Sequence, residues 1–222
     1  MTKFYLVMPL LFFIFASSLG QSYEESLLRI QSRYQTLQNY QCTFISYACN
    51  VEKSEEITYR YFFKKPGSVR MEVRTGSYEG AVLLYAGSNV RVKIGHGILS
   101  WFSFSFDPAN KIVCDLRGNG LHQSDWGWYI EQHVHMMPLT LSRFIGIDTI
   151  EGKRSLKYEL VSKDPGQTRS IVTEQLWIDA QQDILLQYKQ YDNTGKLIQS
   201  GLYQDIVFDV GMNDNLFTEF SR

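Results

Sequence analysis

Residues 57–73 read ITYRYFFKKPGSVRMEV, and their spacing sets the fold class. Ile57, Tyr59, Tyr61 and Phe63 alternate with Thr58, Arg60, Phe62 and Lys64; after the turn signal KKPG, Val69, Met71 and Val73 alternate with Arg70, Glu72 and Arg74. A period of two on both sides of a turn predicts an antiparallel hairpin with one apolar face. AVLLYAG (81–87), VRVKI (90–94) and ILSWFSFSF (98–106) follow, separated by GSN and GHG, so a meander is the simplest topology. In the last of these runs Phe102, Phe104 and Phe106 point one way along an extended chain.

Upstream, Ser22 and Glu25 form a capping box, and Leu27, Ile30, Tyr34 and Leu37 recur at helical spacing, which predicts a helix over 23–38. Downstream, residues 107–123 have no period and read as a loop. A helix follows from about Ser124 to His135, with Trp128, Ile130 or Glu131, and Val134 on its apolar side, before Pro138 stops it. Strands resume near Ser142 and run as KRSLKYELVS, SIVTEQLWID, DILLQYKQYD and KLIQSGLYQDI, joined by turn signals at DPGQ, DAQQ and DNTG. The fold class expected is α+β: one large curved antiparallel sheet of about ten or eleven strands, covered by a few helices.

The start of the chain sets the compartment. Lys3, an apolar run from Phe4 to Phe15 and the small residues Ala16, Ser17, Ser18 and Gly20 have the layout of a secretory signal peptide cut near Gln21. The run is short of the ~20 residues that span a bilayer. Residues 1–20 are therefore expected to be removed, leaving 21–222 as a single periplasmic domain without a transmembrane span. Export permits disulfides, and Cys42, Cys49 and Cys114 allow one bridge with one thiol over. Cys42 and Cys49 face opposite sides of one strand, so a bridge would join Cys114 to one of them.

A formal charge of −1, or −2 without Lys3, leaves no electrostatic footprint for nucleic acid. No GxSxG, HExxH or phosphate-cradling glycine loop is present. His133 and His135 fall on different faces of a helix, with no third ligand at a metal-binding spacing. Cys114 with His122 is the one nucleophile and base pairing to weigh, and a structural cysteine is the preferred reading. The expectation is a non-enzymatic chain with no metal and no cofactor.

What accumulates is apolar surface on one side of many strands. Tyr59, Tyr61 and Phe63, then Val69, Met71 and Val73, then Phe102, Phe104 and Phe106 share a face, with Leu83 and Trp177 as further members. A wide twisted sheet curls around such residues, and two short helices are not expected to fill the hollow. Met71, Met136 and Met137 suit a pocket that adapts to a flexible ligand.

The order of elements resembles the periplasmic lipoprotein carriers of the LolA type and their relatives LolB and RseB. The resemblance rests on LQNYQCTFISY (37–47), FFKKPGSVRMEV (62–73), GAVLLYAGSNVRV (80–92), LWIDAQQDILLQYKQYDNTGKLIQSGLYQDI (176–206) and NDNLFTEF (213–220). NYQCTF with FDP and RGNGLH is also similar to an uncharacterised family of exported bacterial proteins. The resemblance implies a half-open barrel covered by helices whose apolar concavity takes an acyl chain of a lipoprotein or lipid, with envelope proteins as further candidate partners. Ligand contacts would come from Tyr61, Phe63, Met71, Leu83, Phe102, Phe104, Phe106 and Trp177. It also implies a latch at Lys65, the basic residue before the proline of the turn. LolA carries arginine there, and lysine does not reproduce its planar fork of donors. The alternative expectation is a cell-envelope sensor or protein-interaction module with a packed interior.

Overall fold

The structure, a computed structural model, describes residues 22–220, so the expected signal peptide lies outside the described residues. Helix α1 (Tyr23–Thr36) begins at Ser22, whose hydroxyl accepts the Glu25 N–H at 3.1 Å. There follow β1 (Asn39–Cys49), β2 (Ser54–Lys64), β3 (Ser68–Thr75), β4 (Val82–Tyr85), β5 (Val90–Lys93), β6 (Ser103–Phe106) and α2 (Trp126–Met136). The remaining elements are β7 (Thr140–Ile150), β8 (Lys153–Ser162), β9 (Thr173–Asp179), β10 (Leu185–Tyr191), β11 (Leu197–Phe208) and the short α3 (Asn215–Thr218).

All eleven strands form one sheet in the order β6-β5-β4-β3-β2-β1-β11-β10-β9-β8-β7. It is two meanders joined where β11 returns antiparallel to β1. The sheet is curved and unclosed, with β6 and β7 as its free edges. The hairpin read from residues 57–73 is β2 with β3.

Register turns the period of two into continuous rungs on the concave face. One rung runs Cys42, Tyr61, Met71, Leu83, Val92, Phe104 from β1 to β6. Its neighbour runs Tyr40, Phe63, Val69, Tyr85, Val90, Phe106. Leu27 and Ile30 of α1 and Trp126 and Ile130 of α2 join Leu176 and Ile178 in the same core. On the outer face, Arg70 is 1% exposed and donates to the carbonyls of Leu216 at 3.0 Å and Glu219 at 2.9 Å, which pins the C-terminal segment against the sheet.

Four expectations are corrected. Ile98–Trp101 is a 3-10 turn, not strand, and the β5–β6 ladder ends at Lys93 opposite Ser103. Phe102 therefore has no neighbouring strand to cover it and is 58% exposed. Trp177 lies on the outer face, because Leu176 and Ile178 on either side of it take the inner one. Its ring sits between the ammonium groups of Lys157 at 4.6 Å and Lys189 at 5.5 Å, and its Nε1–H donates to Asp148 at 2.9 Å. Helix α2 is capped by Asp125, so Trp126, Ile130 and His133 face inward while Val134 is 43% exposed. Finally, Cys42, Cys49 and Cys114 are all unbridged. Cys42 sits in the inner rung, Cys49 packs with Ile171 and Ile198, and Cys114 lies in the loop after β6.

Candidate functional site

The concave face is not filled by its helices. A cavity of about 320 Å³ remains between the inner rungs and the segment 107–125, which roofs it. Met71, Leu83, Phe104 and Phe106 line it, together with Val73 and Val92. Tyr78 and Ile112, exposed at 77% and 74%, stand among its lining residues and give it a way out to solvent. Ligand pockets span roughly 300–1,000 Å³, so this one has room for a single slender ligand. At ~30 Å³ per methylene-sized unit it encloses on the order of ten carbons.

The aperiodic roof owes its shape to side chains that accept from the backbone ahead of them. Asp107 accepts from Ala109 N–H at 2.8 Å, Asn110 from Ile112 N–H at 3.0 Å, and Asp115 from the N–H groups of Arg117 and Asn119 at 2.8 Å each. Polar ties fasten it to its surroundings, among them Tyr61 of β2 to Ser124 at 3.3 Å. Asp115 Oδ2 accepts from Gln199 of β11 at 3.2 Å. Arg117 and Arg169 each donate to the other's carbonyl, at 2.6 and 2.8 Å. Asp125 accepts the Tyr34 hydroxyl at 2.9 Å. Val113 and Leu121 are the roof's buried apolar anchors.

One rung of the sheet on the β9–β11 side of the cavity is largely polar. Glu55, Ala48, Gln199, Gln190 and Glu174 lie opposite one another across β2, β1, β11, β10 and β9. Glu174, 1% exposed, accepts from Tyr129 Oη at 2.7 Å and Gln190 Nε2 at 2.9 Å and pairs with His133 Nε2 at 3.0 Å. Burial opposes charge on His133, but the Glu174 carboxylate outweighs it and holds the imidazole above its ordinary pKa. The same pairing overcomes burial at Glu174 and holds its carboxyl below the usual range. His133 is thus a structural ion-pair residue of the core.

Of the residues expected to line a ligand site, Met71, Leu83, Phe104 and Phe106 are brought together. Tyr61 and Phe63 are buried behind them: Tyr61 stacks on Tyr40 and bonds Ser124 at 3.3 Å, and Phe63 packs on Tyr40 and Tyr34. Phe102 and Trp177 stand outside the cavity. Lys65 donates to the carbonyls of Tyr34 at 2.7 Å and Gln35 at 3.0 Å and so fastens the end of α1 rather than the roof. Sequence reasoning missed Phe44, Tyr188 and Tyr203, which also line the cavity, although alternation in β1, β10 and β11 carried the signal. Cys114 lines it too, but burial and then Asp115 push its thiol pKa up, the opposite of what activates a nucleophile.

No family model and no curated protein matches the sequence. Among solved structures, the chain is similar to an uncharacterized conserved protein from Thermus thermophilus, with a TM-score of 0.55 and 12% identity over 90% of this chain and 94% of that one. It is similar to the lipoprotein LppX of Mycobacterium tuberculosis, with a TM-score of 0.53 and 11% identity over 86% and 99%. A LolA superfamily protein from Nitrosomonas europaea aligns at a TM-score of 0.40 and 10% identity over 89% and 98%. Identities this low speak of fold alone, and that fold is the curved, unclosed, helix-covered antiparallel sheet that the sequence led us to expect.

Proposed function

From that fold and its hollow, we propose that the chain is an exported binding protein, periplasmic and non-enzymatic, that holds one acyl chain of a lipid or lipoprotein under the 107–125 roof. The observation that carries this reading is the unfilled volume of about 320 Å³ against Met71, Leu83, Phe104 and Phe106. Each enclosed methylene contributes ~0.8 kcal/mol, so a modest enclosed length gives useful affinity. Entry and release use the opening at Tyr78 and Ile112, and the roof beside it is held to α1, β2, β11 and the β8–β9 loop by ties that are polar and few. Residues 1–20 supply the export signal, and 21–222 form one binding domain. No described helix is long and apolar enough to cross a membrane.

An envelope interaction module is the second reading, and one feature favours it. The edge strand β7 leaves one side unpaired and exposes Leu141 at 63% and Ile147 at 55%, a surface suited to strand addition by a protein partner. The packed interior expected of such a module is not present, since the cavity is there. Displacement of a fluorescent fatty-acyl probe separates the two. The carrier reading expects saturable uptake that is lost when Leu83→Trp fills the cavity while the thermal melt is kept. No uptake by the folded wild-type chain overturns it.

A further inference from the structure

The cavity has two unlike halves, and the division follows from register. Toward β3–β6 its wall is Met71, Val73, Leu83, Val92, Phe104 and Phe106, with no polar side chain among them. Toward β2, β1, β11 and β10 the inner face presents Ser46, Glu55, Gln199 and Gln190 beyond the rings of Phe44, Tyr188 and Tyr203, roofed by Asp115 and Asn119. A cavity apolar at one end and hydrogen-bonding at the other fits an amphiphile rather than a bare hydrocarbon.

The charge at the polar end narrows the class. Glu55, Asp115 and Asp125 contribute carboxylates, and Arg169 is the one cation among the lining residues. Arg169 is already engaged, donating to Asn119 Oδ1 at 2.7 Å and to the Arg117 carbonyl at 2.8 Å. Asp115 is engaged as well, accepting four hydrogen bonds from Arg117, Asn119 and Gln199. Among the described residues the Glu55 carboxylate accepts none, which leaves it available as an acceptor. The negative field reaches the nearby phenols. Burial, then Glu55 and Asp115, push the Tyr59 pKa up, and burial, then Asp115 and Glu174, do the same at Tyr188.

Resting on the acyl-binding reading above, we propose that the ligand is a single-chain amphiphile whose polar end donates hydrogen bonds and carries no negative charge. That end sits against Glu55, Gln199 and Gln190, with the chain directed toward Leu83 and Phe104. A fatty acid or any head with a free phosphate brings an anion to a site with surplus carboxylates and no uncommitted cation; a hydroxyl-bearing head meets free acceptors.

The test is calorimetric titration of the wild-type protein at pH 7.5 with two probes of equal chain length, 1-decanoylglycerol and decanoate, each below its aggregation threshold. The expected result is at least tenfold tighter binding of the monoglyceride, with the gap narrowing to within threefold in Glu55→Gln through improved binding of decanoate. Equal affinity, or tighter binding of decanoate, overturns the head-group assignment and leaves the acyl-binding reading standing. Failure of both probes to bind overturns that reading itself and the assignment with it.

Discussion

The Tyr34 hydroxyl donates to Asp125 Oδ1 at 2.9 Å, and the same oxygen accepts the N–H groups of Gly127 and Trp128 that open α2. The end of α1 is thereby fixed to the start of the helix that closes the cavity. Lys65 holds the other side of the joint, with its ammonium 4.6 Å from the centre of the Tyr34 ring. Tyr34→Phe keeps the ring and removes the hydroxyl. It should lower stability by about 1–2 kcal/mol in urea unfolding and raise amide exchange across 107–125 more than in the sheet.

The buried His133–Glu174 pair gives stability a pH window. The folded pKa of His133 lies above its ordinary 6.5, so its contribution is complete below that pH and is lost as pH rises through the folded value. The folded pKa of Glu174 lies below its ordinary 4.5, so its contribution is complete above that pH and is lost as pH falls through the folded value. Thermal melts should therefore show the pair's full effect between pH 4.5 and 6.5 and a decline on either side. His133→Gln should cost about 3–5 kcal/mol within that window and flatten the alkaline decline.

Arg70 lies under the C-terminal segment with 1% of its surface exposed and an ion pair to Glu72 at 2.8 Å. Arg70→Ala leaves the Leu216 and Glu219 carbonyls without this donor and the Glu72 carboxylate without this cation. The expected cost is about 3 kcal/mol or more. Exchange should rise selectively over 213–220, whereas the pairing of β1 with β11 stays protected.

Gly201 lies opposite both Ser46 and Tyr188, and a Cβ there would strike the Tyr188 ring and come within 2.8 Å of Phe44. Both rings line the cavity. Gly201→Ala should cost roughly 1–3 kcal/mol by overpacking and should weaken uptake of an acyl probe, because the rings can yield only into the cavity or the core. A melt and a probe titration on one preparation check both effects.

The hairpin at 57–73 was legible because alternation on both arms and the KKPG turn agree. Met71, Leu83, Phe104 and Phe106 were legible for the same reason, since each sits in a run of period two. Phe102 was misread because alternation alone does not mark where a ladder ends, and that end depends on the turn at 98–101. Trp177 was misread because three apolar residues in a row, Leu176 to Ile178, leave the parity open until neighbouring strands fix it. The roof lay beyond reach altogether. Its ties run from Asp115 to Gln199 and from Arg117 to Arg169, contacts between distant segments that no local period encodes. The joining of the two meanders through β1 and β11 is likewise a non-local pairing.

The central claim is that the cavity beneath the roof holds an acyl chain, and the most direct measurement is native mass spectrometry of the protein purified from its own host, followed by solvent extraction of whatever travels with it. The account predicts one acyl-bearing molecule per chain, displaced by added monoglyceride and absent from the Leu83→Trp variant. A bare protein mass that stays unchanged when lipid or lipopeptide is added would contradict it.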